Sequence, residues 1–199
     1  NYSHEENQAW EEADNGLEEK ETAYEGRVGK FKATIEKPEK GRGVKLDNGT
    51  VNLSWEYLGK ATKETAQKRG GLKVERKDKQ RGKPYKGQAV YEEIEDNTDL
   101  EYILQGNKLK ENIIVRARGS EYKYYFQLKA ENLKLRLSES NTTIELYSER
   151  QNEAGEVEEK VEFTIPSPYM YDAAGKELET MLIGKSADSL KNVIKNIKI

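Results

Sequence analysis

Alternation of apolar and polar residues with a period of two is the feature that most constrains the fold of this chain. Successive side chains of a β-strand point to opposite faces, so this pattern predicts strands that bury one face. The alternation recurs along most of the sequence. Its apolar positions are Phe31, Ala33 and Ile35; Val51, Leu53, Trp55 and Tyr57; Tyr122, Tyr124, Phe126 and Leu128; Leu133, Leu135 and Leu137; and Val161, Phe163 and Ile165.

Short polar segments suited to tight turns separate these strands. Residues 47–49 (DNG) and 105–108 (QGNK) are placed to close hairpins, and residues 138–141 and 153–156 interrupt the later strands in the same way. Many short strands without intervening helices are typical of antiparallel architectures. We therefore predict an all-β fold, either an antiparallel β-sandwich or two packed antiparallel sheets.

Residues 60–86 depart from the alternation. This stretch is strongly basic, and Leu72 and Val74 are its clearest apolar anchors. We predict an exposed basic loop with one short edge strand.

The C-terminal residues 186–199 fit two structures. Ser186 is a suitable helix N-cap, and Leu190, Val193, Ile194 and Ile197 follow at helical spacing. A short C-terminal helix is the first interpretation, and a terminal strand is the alternative.

Length and charge exclude several classes of partner. With 199 residues the chain suits one β-rich domain spanning residues 1–199, which we expect to be cut from a longer polypeptide. Lys and Arg number 34 against 37 Asp and Glu, for a net charge of −3, so no general attraction for nucleic acid is expected. No apolar run is long enough to predict membrane insertion.

Catalytic chemistry has few candidate groups in this sequence. There is no cysteine, and the single histidine is His4, so thiolate sites and imidazole-based catalysis lack a centre. The acidic cluster of Glu93, Glu95, Asp96 and Asp99 does not have the spacing of an EF-hand loop and is typical of a solvated turn. The glycines lack phosphate-binding frames. We predict no catalytic residues, no metal and no cofactor.

The twelve tyrosines offer more scope for binding. Most are assigned to packing by the alternation. Four remain candidates for contacts with a glycan or another protein segment: Tyr125, Tyr147, Tyr169 and Tyr171.

The stretch FTIPSPYMYDAAGK, residues 163–176, contains two of these tyrosines. Pro166 and Pro168 should end a strand, while Asp172 and Gly175 are suited to a turn. Tyr169 and Tyr171 have the same parity, which predicts that both face inward against the sheet. A Tyr-Asp-x-x-Gly repeat array is not expected, because no second copy of the motif occurs.

Several motifs together resemble one family. The order and spacing of the following stretches, over about residues 8 to 176, are similar to the region that precedes the repeats in bacterial YD-repeat (Rhs-type) wall-associated surface proteins: NQAWEEADNGLEEK, GKFKATIEK, VKLDNGTVNLSWEYLG, YEEIEDNTDLEYILQGNKLKENIIV and FTIPSPYMYDAAGK. Residues 60–86 and the C-terminal end of the chain lie outside this resemblance. It implies a secreted or wall-attached location in a Gram-positive bacterium, and a non-enzymatic β-rich module ahead of a much longer chain.

Three functional hypotheses follow from these observations. The first is a structural or interaction module whose partners are other segments of the same long polypeptide. The second is a carbohydrate-binding module that docks cell-wall or host glycans through exposed tyrosines. The third is a carboxylate-based glycoside hydrolase, which requires two acids to converge in a cleft.

Overall fold

The computed structural model describes residues 16–59, 72–76, 87–118, 122–138, 143–178, 180–184 and 193–197. Every regular element within these ranges is a β-strand, which confirms the all-β prediction. The strands are β1 (Glu18–Glu19), β2 (Ala23–Val28), β3 (Phe31–Glu36), β4 (Gly43–Asp47), β5 (Asn52–Gly59), β6 (Leu72–Arg76), β7 (Gly87–Glu95), β8 (Thr98–Gln105), β9 (Lys108–Val115), β10 (Tyr122–Glu131), β11 (Lys134–Leu137), β12 (Thr143–Gln151), β13 (Val157–Pro166), β14 (Met170–Tyr171), β15 (Glu177–Leu178), β16 (Thr180–Gly184) and β17 (Val193–Ile197).

These strands form four antiparallel sheets. The largest has eight strands in the order β1-β2-β3-β4-β5-β10-β17-β16. A second sheet has the order β6-β7-β8-β9, a third the order β11-β12-β13, and β14 pairs with β15 alone. The four-stranded sheet therefore lies, in the sequence, between two neighbouring strands of the eight-stranded sheet.

The main core joins the eight-stranded and four-stranded sheets. Both sheets contribute their buried, alternating side chains to one cluster, an arrangement consistent with the predicted β-sandwich. The larger sheet contributes Val28, Phe31, Ala33, Ile35, Val44, Leu46, Tyr57, Tyr124 and Phe126, and the smaller one contributes Ala89, Tyr91, Ile94, Leu100, Tyr102 and Leu104. Val51, in the turn before β5, also belongs to the cluster.

A second, smaller cluster attaches the three-stranded sheet. Leu53 and Leu128 from the eight-stranded sheet pack with Ile144 and Leu146 of β12. Trp55 is half-buried and contacts both clusters, and its indole Nε1 donates a hydrogen bond to Glu111 Oε2 at 2.8 Å. The three-stranded sheet is thus an extension of the sandwich with its own small core.

The predicted turns at residues 47–49, 105–108 and 153–156 are confirmed, while most of the predicted break at residues 138–141 lies outside the described residues. Gly49, in the turn between β4 and β5, has a φ of 84°, and its N–H donates to Asp47 Oδ1 at 2.7 Å. Gly106, between β8 and β9, has a φ of 58°. In the β12–β13 turn Gly155 has a φ of 81°, and Asn152 Oδ1 accepts hydrogen bonds from two backbone N–H groups. Glycine reaches these angles without the clash that a Cβ would cause.

The two regions that departed from the alternation contain strands. Within residues 60–86, β6 is an edge strand of the four-stranded sheet, as predicted from Leu72 and Val74; residues 60–71 and 77–86 lie outside the described residues. The C-terminal helix interpretation is wrong for Val193–Ile197, which form β17 between β10 and β16, as in the strand alternative. The rest of the predicted segment, residues 186–192 and 198–199, lies outside the described residues. Three of the five residues of β17 are valine or isoleucine, and β-branched side chains favour strands.

A buried carboxylate joins the tip of the β2–β3 hairpin to the three-stranded sheet. Glu162 of β13 is almost fully buried, and its carboxylate contacts Lys30 Nζ at 2.5 Å and Lys160 Nζ at 3.0 Å. Next to it the rings of Phe31 and Phe163 lie 4.4 Å apart between centroids. Burial alone would raise the pKa of Glu162, but the two ammonium groups outweigh it and lower the pKa to about 2.

This contact predicts a specific acid sensitivity. Because the pKa of Glu162 is lower in the folded chain than its ordinary value of 4.5, its contribution to stability is complete above that pH. The contribution should fall between about pH 4.5 and pH 2. We expect Glu162→Gln to lower the free energy of unfolding by about 1–2 kcal/mol at pH 7. The difference in this free energy between the variant and the original chain should shrink as the pH falls from about 4.5 to 2. Urea unfolding at several pH values measures both quantities.

The matched control is Glu153→Gln, in the exposed β12–β13 turn. It should leave the free energy of unfolding unchanged at pH 7. If the difference in free energy of unfolding between Glu162→Gln and the original chain stayed constant from pH 7 to pH 2, the predicted role of the ion pairs would be contradicted.

Candidate interaction surfaces

Two tyrosines are exposed side by side where the chain leaves the three-stranded sheet. Tyr169 is 56% exposed and Tyr171 is 55% exposed, and their ring centroids are 5.7 Å apart. Lys110 Nζ of β9 lies 5.9 Å from the centroid of the Tyr169 ring. This tyrosine pair therefore borders an edge strand of the four-stranded sheet.

The inward orientation predicted for these tyrosines is wrong. Parity fixes the direction of a side chain only within a strand, and β13 ends at Pro166. Tyr169 lies outside both β13 and β14, so it is not bound by the alternation. The turn that follows is as predicted: Asp172 Oδ1 accepts hydrogen bonds from the N–H groups of Ala174 and Lys176 at 2.9 and 2.8 Å, and Gly175 has a φ of 78°.

The two rings do not form one flat surface. Their planes are inclined at 60°, so a planar face that lies against one ring meets the other at its edge. A sugar ring can stack on one of the two tyrosines at a time. The geometry suits an uneven apolar partner, such as another protein segment, better than an extended flat glycan face.

Tyr147 has a different environment. It is half-buried on β12, and the guanidinium carbon of Arg136 lies 4.6 Å from its ring centroid. Arg136 also forms ion pairs with Glu145, at 2.8 Å, and with Glu159. One face of the Tyr147 ring is therefore occupied within the chain.

Tyr125 lies on β10 of the eight-stranded sheet and is half-buried. Its neighbours Tyr124 and Phe126 are in the core, so Tyr125 faces away from it, as predicted. The structure thus brings Tyr169 and Tyr171 together and places Tyr147 and Tyr125 on separate strands. The four predicted contact residues do not form a single site.

A shallow polar groove on the outer face of the eight-stranded sheet was not predicted. It has a volume of about 220 Å³ and is lined by Thr34, Glu36, Lys45, Ser54, Glu56, Gln127 and Lys129, among others. Gly43 N–H donates to Glu36 Oε2 at 3.2 Å, and a Cβ on Gly43 would lie 2.8 Å from the same oxygen. A Cβ on Gly41 would lie closer still to this oxygen. The absence of a side chain at Gly41 and Gly43 therefore leaves room for the Glu36 carboxylate.

The acidic cluster forms a turn held by one buried member. Asp99 is buried; its Oδ1 accepts a hydrogen bond from Glu93 N–H at 2.9 Å, and its other oxygen forms an ion pair with Arg116. Glu95 Oε1 accepts a hydrogen bond from Tyr57 at 2.5 Å, while Asp96 is exposed. Within the described part of the chain, no group of three or more acidic or histidine side chains is arranged to hold a metal. These contacts of Asp99 and Glu95 hold the turn in place.

A polar network at one end of the core was also missed. Arg42 is buried, and its Nη1 donates to the Ile94 carbonyl oxygen at 3.2 Å. The Tyr91 hydroxyl donates to the Glu36 carbonyl oxygen. Burial lowers the pKa of Arg42 and raises the pKa of Tyr57 and Tyr91. The residues are far apart in the sequence, so no local motif signals the network.

Comparison with protein-family models gave no match, and comparisons with curated proteins and with solved structures gave none either. The resemblance to YD-repeat surface proteins therefore stays a prediction. In the described ranges the structure has no helix that is long and apolar enough to cross a membrane.

Proposed function

We propose that this chain is a non-enzymatic structural and interaction module of a large secreted or wall-attached surface protein of a Gram-positive bacterium. Its partners in this proposal are other segments of the same long polypeptide. The location rests on the sequence resemblance alone, and the interaction role rests on the distribution of exposed apolar side chains.

That distribution is the observation that carries the proposal. Six large apolar side chains are exposed among the described residues, and five of them lie between residues 137 and 171: Leu137, Val157, Val161, Tyr169 and Tyr171. The sixth, Ile114, is on β9, the strand that carries Lys110 beside Tyr169. Apolar exposure is thus concentrated on the three-stranded sheet and the tyrosine pair. Among these side chains Tyr169 and Tyr171 are adjacent, and adjoining exposed apolar side chains are typical of contact surfaces.

The proposed structural role rests on the charged surface and on an open edge of the four-stranded sheet. Charged residues make up 36% of the chain. β9 pairs only with β8 among the described strands and is an edge strand of the four-stranded sheet. An edge strand can accept a further strand from the same polypeptide without rearranging the core.

Solvent protection of the tyrosine pair tests this function. We expect hydroxyl-radical labelling of Tyr169 and Tyr171 to be at least about threefold slower in the longer polypeptide than in the 199-residue chain, because contact with another segment should cover rings that are now about half exposed. Tyr91, which is buried, is the internal control and should be protected in both samples. Equal labelling of Tyr169 and Tyr171 in the two samples would argue against the proposal.

Glycan binding is the second candidate, because Lys110 beside the exposed Tyr169 ring offers a hydrogen-bond donor next to a stacking surface. It predicts saturable binding of peptidoglycan fragments in a calorimetric titration, and at least a tenfold loss of affinity when Tyr169 and Tyr171 are both changed to alanine. Tyr147→Ala is the matched control, since Arg136 already covers that ring. An absence of saturable binding would remove this candidate.

A further inference from the structure

The outer edge of β13 is open among the described strands. β13 pairs with β12 along its length, whereas β11 covers β12 only between Ile144 and Tyr147. The distal half of the β12–β13 hairpin is therefore a two-stranded ribbon, and all five residues of β13 from Val157 to Val161 are exposed. A two-stranded ribbon is only marginally stable by itself in water.

The backbone groups of this edge can be assigned from the turn. Asn152 N–H donates to the Glu156 carbonyl oxygen at 2.9 Å. Hydrogen-bonded and non-hydrogen-bonded pairs alternate along an antiparallel ladder, so Glu158 should direct its N–H and C=O toward β12. The backbone groups of Val157, Glu159 and Val161 then point to the open edge.

The sequence of this edge, Val-Glu-Glu-Lys-Val, is complementary to itself when antiparallel. Pairing two copies about Glu159 places Val157 opposite Val161 of the second chain, and Glu158 opposite Lys160. The valines are 60% and 41% exposed and lie on one face of the strand, while the opposite charges lie on the other. Cross-strand apolar and opposite-charge pairs both stabilise a sheet.

The remaining like-charge pair, Glu159 with Glu159 of the second chain, is partly offset within each chain. Glu159 faces its own copy at the centre of this register, but each Glu159 forms an ion pair with Arg136 of its own chain. Shifting the centre by one residue pairs Glu158 with Glu158 or Lys160 with Lys160, and it also separates the valines. The charges therefore select a single register.

We propose that the open edge of β13 is a homodimer interface, in which two chains pair β13 with β13 about a two-fold axis at Glu159. The three-stranded sheets then join into one continuous sheet with about six additional backbone hydrogen bonds, two for each hydrogen-bonded residue pair. The partner is a second copy of this chain. This surface is distinct from the tyrosine pair, so the inference goes beyond the proposed function.

Sedimentation velocity of the 199-residue chain tests the dimer. Because the interface is small, we expect a reversible dimer with a dissociation constant on the order of 100 µM. Glu158→Lys places like charges in both cross-strand pairs and should raise the dissociation constant about tenfold or more. Glu153→Lys, which makes the same charge change in the turn, should leave it unchanged. A monomer up to 1 mM would overturn the proposal, and so would equal effects of the two substitutions.

A second variant distinguishes loss of the interface from local unfolding of the β12–β13 hairpin. Val157→Pro removes an N–H that points to the open edge and leaves the bonds to β12 in place, so it should weaken the dimer while circular dichroism shows an intact fold. If it retains the dimer at the original affinity, the interface lies elsewhere and the proposal fails.

The register has a separate test, because the chain contains no cysteine of its own. Two residues that face each other across a hydrogen-bonded pair have Cα atoms about 5.5 Å apart, within the range that a disulfide spans. Glu159→Cys should therefore form a covalent dimer under mild oxidation, and Val157→Cys, which faces Val161, should form it much more slowly. Equal rates would contradict the register. The Tyr169→Ala and Tyr171→Ala variants should dimerise normally, which separates this inference from the proposed function.

Discussion

We expect Leu100→Ala to lower the free energy of unfolding by about 3 kcal/mol. Leu100 is fully buried on β8, in the core shared by the eight-stranded and four-stranded sheets. Its cross-strand partners are Tyr91 on β7 and Ile113 on β9. Since both neighbouring strands are fixed in their ladders, they can close only part of the cavity that the substitution leaves. Urea unfolding at pH 7 measures the loss.

Leu137→Ala is the matched control for this experiment. It removes the same atoms from a leucine on β11 that is mostly exposed, so the free energy of unfolding should change by less than about 0.5 kcal/mol. If the two substitutions lower the free energy of unfolding equally, Leu100 is not buried between the two sheets.

Asp99→Ala should lower the free energy of unfolding by about 2–3 kcal/mol. It removes the acceptor of the Glu93 N–H and the ion-pair partner of Arg116. The loss should be large because Asp99 is buried and because Glu93, in the irregular part of β7, has a φ of 49° that the hydrogen bond helps to hold. Thermal and urea unfolding should agree on the direction.

Two further variants separate the roles of Asp99. Asp99→Asn can keep an acceptor for the Glu93 N–H but loses the charge that faces Arg116, so its loss should lie between that of Asp99→Ala and zero. Asp96→Ala, three residues away in the same acidic cluster and exposed, should change stability by less than about 0.5 kcal/mol. A larger effect at Asp96 than at Asp99 would reverse our account of the cluster.

The strands were predictable because their signal is local. Phe31, Ala33 and Ile35 alternate with polar residues, and all three are buried on β3. The turn glycines were equally predictable from the sequence, since Gly49 and Gly106 follow polar residues between apolar runs. Val193, Ile194 and Ile197 were misassigned because their spacing fits either one face of a helix or a strand, and pairing with β10 decided the outcome.

The surfaces were less predictable because they depend on distant partners. Lys30 and Glu162 are 132 residues apart in the sequence, and no local pattern links them. Tyr169 and Tyr171 were placed inward by parity, which stops applying where Pro166 ends the strand. The open edge of β13 follows from the position of β13 at the end of its sheet, which only the strand pairing reveals. Sequence patterns therefore predicted the strands, whereas the contacts between sheets could be identified only from the structure.

The order of strands in the largest sheet also determines when the chain can fold. β5 and β10 are neighbours in that sheet, yet Asn52 and Glu131, which pair across it, are 79 residues apart. Closing so long a loop costs entropy before any contact offsets it, whereas the hairpins of β7, β8 and β9 close locally. During synthesis the four-stranded sheet can form first, and β5 acquires its β10 partner only after that whole insertion has left the ribosome. We expect refolding on the millisecond-to-second timescale typical of such nonlocal β topologies.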